Sequence, residues 1–270
     1  MLDTNVREQD LHRPPVVYGP SPSVNGDGID RAAWAKLCNL QRRILPQHAP
    51  TVAGYRLKLA YRPAFAVTGD YHDFFPRPSG VLGTFVGDGS GHGPAASMLM
   101  AIMFTILRTH AIHSDPGTTL YRASALFHEL VPSDLFMTGV YLVLEPGGYL
   151  SWAAAGHHPP LHVMRSGEVS PIDLTVIGSV LGLDPDKPYE TVRSQIGVGD
   201  RILLFTDGLW EARNAAGEPF NRLRIGQHMQ YTMDDPLDDS VNSLVASVAK
   251  HLSDADFEDD ITILGIERTE

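Results

Sequence analysis

The sequence predicts an α+β fold in which antiparallel sheets are covered by helices, and three observations carry that expectation. Segments of strand character recur along the chain, from "GYRLKLAYRPA" to "ITILGIE". Many are joined by hairpin signals, "EPGGY", "RSGE" and "GVGD", in which glycine supplies the positive φ of a tight turn. Helical patterns come in blocks instead of alternating strictly with strands, which argues against a doubly wound parallel sheet.

Residues 1–28 are polar, with Pro14, Pro15, Pro20 and Pro22 ahead of "NGDG", the composition of a flexible tail that buries too little to fold alone. Residues 29–46 read as an amphipathic helix: Trp34, Leu37, Leu40 and Ile44 share one stripe, Asp30 is the expected N-cap and Pro46 the stop. Strands are expected in "GYRLKLAYRPA" and "GVLGTFVGD", followed by helices from Pro94 to His113 and from Thr118 to Leu130. The next strands are "MTGVYLVLEP", "GYLSWAAAG", "PLHVMRSGEVSPI", "YETVRSQI" and "RILLFTD". Helices from Asn221 to Tyr231 and from Asp239 to Leu252 precede the closing strand "ITILGIE". The run "ASMLMAIMFTIL" is apolar on nearly every face, so its methionines read as core and not as a partner groove.

With 270 residues, 43% hydrophobic and 20% charged, the chain has the profile of a soluble globular protein of one or two domains. A formal net charge of −11 excludes the basic surface that nucleic acid or anionic lipid would require. The lone cysteine, Cys38, permits no internal disulfide, so a reducing cytoplasm is the default compartment. The apolar run from Ala95 to Leu107 is shorter than the ~20 residues of a spanning helix, and "MLDTNVREQDLHRPP" lacks the apolar centre of a signal peptide.

Chemistry gathers at aspartates. Asp70 in "VTGDYHDFF", Asp88 in "FVGDGSGHG", Asp207 in "LLFTDGLWE", and Asp259 with Asp260 in "FEDDITIL" occupy similar settings beside apolar strands and glycines. Asp-Gly is a common turn pair, and each motif alone reads more readily as a turn than as a ligand. The recurrence of apolar run, aspartate and glycine at distant places is what a turn does not require. Carboxylates brought together raise each other's pKa unless a cation neutralises them, and hard divalent ions such as Mg²⁺ or Mn²⁺ suit oxygen ligands.

"TGDYHDFF", "GDGSGHGPAAS", "WAAAGHHPPLHV", "SVLGL", "GDRILLFTDGLWEARN" and "DDITIL" occur in an order that resembles the bacterial SpoIIE-like or RsbU-like metal-dependent serine/threonine phosphatases, relatives of the type 2C phosphatases. The resemblance runs from about Leu40 to Glu267 and implies a phosphatase domain over 47–270, built as an αββα sandwich with two divalent metal ions at one edge. It implies Asp70 and Asp88 as ligands, Asp88 bridging, with the Gly89 carbonyl beside it. Asp207 and Asp259 would complete the ligand set, and Asp260 would stand behind the ligands. Asp88 and Asp207 are then the residues on which catalysis depends. The glycines after Asp88 would keep the approach of cation and phosphate open.

The implied reaction is hydrolysis of phosphoserine or phosphothreonine in a regulatory protein, such as an anti-sigma-factor antagonist, by a metal-activated water. A catalytically weak binding module and a small-phosphoester hydrolase are the competing readings. His92 has two readings, proton donor to the leaving oxygen or cap of its turn or helix. His157 and His158 read as shaping a loop near the site; zinc spacings are absent. Ser90 does not fit a nucleophile elbow, and no lysine follows the glycines as a phosphate loop would require. Two departures from the family pattern are Thr68 before Gly69-Asp70 and Trp210 after Asp207. The helix over 29–46 is expected either to pack on the sandwich or to pair two protomers, and so to set the metal site.

Overall fold

The computed structural model describes residues 31–111, 114–171, 177–253 and 257–270. The expected tail over 1–28, the Asp30 cap and the helix end at His113 lie outside the described residues. Helix α1 spans Arg31–Ile44, followed by β1 (Tyr55–Arg62), β2 (Tyr71–Pro76) and β3 (Leu82–Gly89). Helices α2 (Gly93–His110) and α3 (Pro116–Leu130) come next. Then follow β4 (Met137–Leu144), β5 (Tyr149–Ala155), β6 (Leu161–Val163), β7 (Val169–Pro171), β8 (Ile177–Gly178), β9 (Val192–Gln195) and β10 (Arg201–Phe205). The chain continues through α4 (Gly208–Glu211), α5 (Arg222–Tyr231) and α6 (Leu237–Leu252) into β11 (Ile261–Arg268).

One sheet has the order β1-β11-β10-β6-β7; the other runs β2-β3-β4-β5-β8, with β9 also on β5. Every pairing is antiparallel except the two-residue match of β8 with β5. The period-two alternation of each strand separates the layers. Along β3, Phe85 faces α2 and α3 while Val86 faces the other sheet; along β11, Ile263 faces α6 while Leu264 faces inward. The result is four layers: α2 and α3, two sheets, then α5 and α6.

Turn chemistry follows the sequence: Gly147, Gly148, Gly167 and Gly199 all have positive φ in the expected hairpin turns. Asp115 caps α3 by accepting from Thr118 N, and Asn221 caps α5 by accepting from Arg224 N. Three elements differ from expectation. Strand β2 was hidden within the Asp70 motif, and α4 within the Asp207 motif. The stripe of α1 is turned: Leu40 is 57% exposed, whereas Gln41 is 6% exposed. In α2, Met100 and Met103 are core, but Met98 faces outward. Leu45, just after α1, is buried in the cluster formed by α2, α3 and their sheet, so the helix is packed onto the sandwich. Among the described residues no helix is long and apolar enough to cross a membrane.

Candidate metal centre

The register of the strands explains how remote aspartates meet. Strand β2 pairs with β3 from Tyr71 opposite Gly87, so the next step outward sets Asp70 across from Asp88. In the other sheet, Phe205 of β10 faces Ile263 of β11, so the ladder's end places Asp207 beside the segment holding Asp259 and Asp260. Threonines join the two sheets at this edge: Thr206 Oγ1 and Thr262 Oγ1 donate to Asp70 Oδ2 at 2.9 and 2.6 Å.

Each acidic side chain has a distinct setting. Asp70 is buried, and both threonine hydroxyls bind the same carboxyl oxygen, Oδ2. Asp88 is half-buried at the end of β3 and faces Thr138 of β4. Asp207 is half-buried at the start of α4, and its side chain does not cap that helix. Asp259 stands exposed at the rim of a cavity of ≈ 190 Å³ that Gly208 and Glu211 also line. Asp260 is buried and committed to protein: Ala64 N donates to Oδ1 at 2.7 Å, while Thr68 Oγ1 and Gly69 N donate to Oδ2. That saturation suits an anchor behind a metal site and not a ligand.

Electrostatics register the convergence. Burial pushes Asp88 up to about 8, and the negative charges of Asp207, Asp259 and Asp260 add to the shift. Asp70 is raised well above the carboxylate range by burial, then by Asp88 and Asp260. Asp259 is pushed up to about 6, first by the protein packed around its inner side, then by Asp207, Asp260 and Glu211. Asp260 is raised by burial against its hydrogen bonds. Such mutual repulsion is relieved by a cation. Among the described residues no three such side chains are already closed tightly enough to hold an ion.

The donors present fit hard divalent cations, since all are oxygens. Backbone packing also keeps the site narrow. A Cβ on Gly69 would lie 3.1 Å from Asp88 Oδ1, and one on Gly208 would strike the Asp260 carbonyl. Gly91 and Gly93 differ: they have φ of +85° and +72° with open space around them, so backbone conformation and not crowding demands glycine there. Gly89 N donates to Gly69 O at 3.3 Å, tying the turns of Asp70 and Asp88 together.

His92 occupies the N-cap position of α2, but its side chain makes no cap bond; it is exposed and stacks on Phe65 with ring centroids 5.6 Å apart. The capping reading therefore fails for the helix. His157 bridges the sheets, Nε2 donating to Phe205 O at 2.8 Å and Nδ1 accepting from Thr138 Oγ1 at 3.0 Å. Burial lowers its pKa, so it serves as a neutral strut. Ser90 is spent on structure, its Oγ accepting from Phe136 N at 3.1 Å.

Sequence reasoning missed Thr206, Thr262 and Gln41, and treated Thr68 only as a departure. Thr68 Oγ1 accepts from Asp70 N at 2.9 Å while donating to Asp260, so this threonine links two of the aspartates. Gln41 of α1 holds Thr68 from behind: Thr68 N donates to its Oε1 at 2.9 Å, and its Nε2 donates to Thr68 O at 2.8 Å. A hydroxyl beside each aspartate in "FTDG" and "DDIT" was the available signal for Thr206 and Thr262; Gln41 had none.

Known proteins resemble the chain in sequence and in fold. The phosphoserine phosphatase RsbU of Bacillus subtilis is 26% identical over 235 residues, 85% of this chain and 68% of that protein. Protein IcfG of Synechocystis sp. is 25% identical over 228 residues, 74% of this chain; the match spans 36% of IcfG's own length. In fold, the SiaA-PP2C domain of Pseudomonas aeruginosa superposes with a TM-score of 0.76 at 21% identity, covering 88% of this chain and 96% of that domain. The family model for Stage II sporulation protein E matches residues 78–269, and with most of the chain so matched, the protein belongs to the SpoIIE family.

Proposed function

We propose that the protein is a metal-dependent phosphoprotein phosphatase that hydrolyses phosphoserine or phosphothreonine in a regulatory protein, using two divalent ions, Mn²⁺ or Mg²⁺. The observation that carries this reading is the meeting of Asp70, Asp88, Asp207 and Asp259 at one edge of two sheets, with Asp88 driven up to about 8 by burial and its acidic neighbours. Likeness to RsbU, named a phosphoserine phosphatase, supports the same chemistry.

When bound, the ions supply an activated water and positive charge for phosphoryl oxygens. The chain's own residues hold that chemistry in place. Asp70, Asp88, Asp207, Asp259 and the Gly89 carbonyl would provide the oxygen donors. Thr206 and Thr262 fix one oxygen of Asp70, Oδ2, and so its carboxyl plane. Asp260, bonded to Ala64, Thr68 and Gly69, fixes the turn that carries Asp70. His157 locks the end of β10 from which Asp207 projects. In the hydrolysis so supported, the water oxygen would bond to phosphorus as the ester P–O bond breaks, the water giving up one proton and the leaving serine or threonine oxygen taking one. His92, exposed on the turn after Asp88 with no hydrogen bond of its side chain among the described residues, is the imidazole assigned to supply it.

Manganese-dependent hydrolysis of a phosphoserine peptide by the wild type and Asp207→Asn tests the reading. The expected result is turnover in the wild type and a loss of about 100-fold or more in the variant, at unchanged melting temperature. Equal rates in the two proteins would remove Asp207 from the mechanism.

A further inference from the structure

Between the edge strand β7 and helix α5 lies a groove of ≈ 380 Å³, separate from the acidic cavity beside Asp259. Leu161, Val169, Phe205 and Leu223 give it an apolar lining. Helix and strand approach closely at its base: a Cβ on Gly226 would lie 3.0 Å from the Val169 side chain, at Cγ1. Leu223, on its α5 wall, is 69% exposed, an apolar side chain left to solvent beside an apolar trough.

Two polar groups on the wall lack partners. His158 is 9% exposed, and its Nε2 has no hydrogen-bond partner. Arg222 places its guanidinium carbon 4.5 Å from the Trp210 ring centroid, with no hydrogen bond or carboxylate within 4 Å among the described residues. Trp210 belongs to α4, the helix that starts beside Asp207, so this end of the groove lies on the element that follows one of the candidate metal ligands. In a chain of net charge −11, an unpaired guanidinium at that junction complements an anion arriving from outside. Trough and cation together match a polypeptide that carries a phosphorylated residue and an apolar residue a short distance along the chain.

We propose that this groove docks the phosphoprotein substrate, seating an apolar side chain near the phosphorylated residue against Leu223, Val169 and Phe205 while Arg222 faces the phosphorylated end. The inference rests on the phosphatase reading and adds to it where substrate specificity resides. Small phosphoesters would not reach the trough.

The probe is a set of phosphoserine peptides with glycine flanks, in which a single leucine is placed at each of the positions one to four residues to either side. For the wild type with Mn²⁺, leucine at one or two positions is expected to raise kcat/KM about tenfold over the all-glycine peptide, the scale of burying one such side chain. Leu223→Asp is expected to abolish that ratio, and because Leu223 is exposed the variant's melting temperature reports an intact fold. Equal turnover of all peptides by the wild type would overturn the inference, as would a leucine preference that survives Leu223→Asp. A dimer lost in Leu223→Asp, with no leucine preference in the wild type, would give the groove to a second copy of the chain. Absence of any manganese-dependent hydrolysis of these peptides and of p-nitrophenyl phosphate would instead remove the phosphatase reading, and the docking role with it.

Discussion

Thr206 shows how much of the site rests on side chains that carry no charge. Its hydroxyl donates to Asp70 Oδ2 and accepts from Thr262 N at 2.9 Å, inside a region with no access to water. Thr206→Val keeps the shape and removes both bonds, leaving a buried carboxylate oxygen and a backbone N–H short of a partner. The expected cost is about 1–3 kcal/mol of stability, with the manganese concentration for half-maximal activity raised about tenfold or more. Thr206→Ser should restore both. Thermal unfolding and metal titration of the three proteins would check this, and a valine variant indistinguishable from wild type would refute it. The aspartates were legible because each follows or precedes an apolar strand with glycine nearby. The threonines were not, since a threonine in a strand is equally well explained by its β-branched shape.

Helix α1 was legible as an element, but its working face was not. Hydrophobic spacing put Leu40 inward; the structure instead buries Gln41, because the backbone of Thr68 offers one N–H and one carbonyl that only an amide can satisfy together. Through that clamp the helix reaches the hydroxyl that holds Asp260. Gln41→Leu is therefore expected to lose about 2 kcal/mol or more in urea unfolding and to need more Mn²⁺ for activity. If only stability falls while the manganese requirement stays fixed, α1 supports the fold without setting the site. Removing residues 1–46 is a blunter test, since Leu45 is itself part of the core. Strand β2 escaped notice for a similar reason: "YHDFFP" carries His72 and Asp73 in its middle, and both are buried with distant partners, His72 Nε2 donating to the Pro46 carbonyl after α1 and Asp73 accepting from Arg108.

At the scale of the whole molecule, the acidic edge links metal, protons and stability. Carboxyls whose pKa rises on folding bind more protons folded than unfolded. Their contribution is fully present below the unfolded carboxylate range and is lost as pH climbs, through about 6 for Asp259 and about 8 for Asp88. His72 acts in the opposite sense: burial lowers it to about 4, so its contribution is full above the ordinary histidine range and lost as pH falls toward 4. Comparing melting temperatures with and without Mn²⁺ cancels the His72 effect and isolates the acidic edge. The increment given by Mn²⁺ should be larger at pH 8.5 than at pH 5.5, where protons already occupy part of the cluster, and Asp88→Asn should flatten the difference. An increment independent of pH would mean that the ion binds elsewhere.

By itself the sequence determined the α+β class with antiparallel strands, the hairpin turns and the identity of the acidic residues, because strand alternation, helical period and glycine turns are set by neighbours a few positions apart. Only the tertiary structure decided which groups complete the edge. Asp70 is joined to Thr206 and Thr262 across 136 and 192 positions of chain, and Gln41 to Thr68 across 27. Those contacts depend on strand register and on how one sheet lies over the other, which no local period encodes.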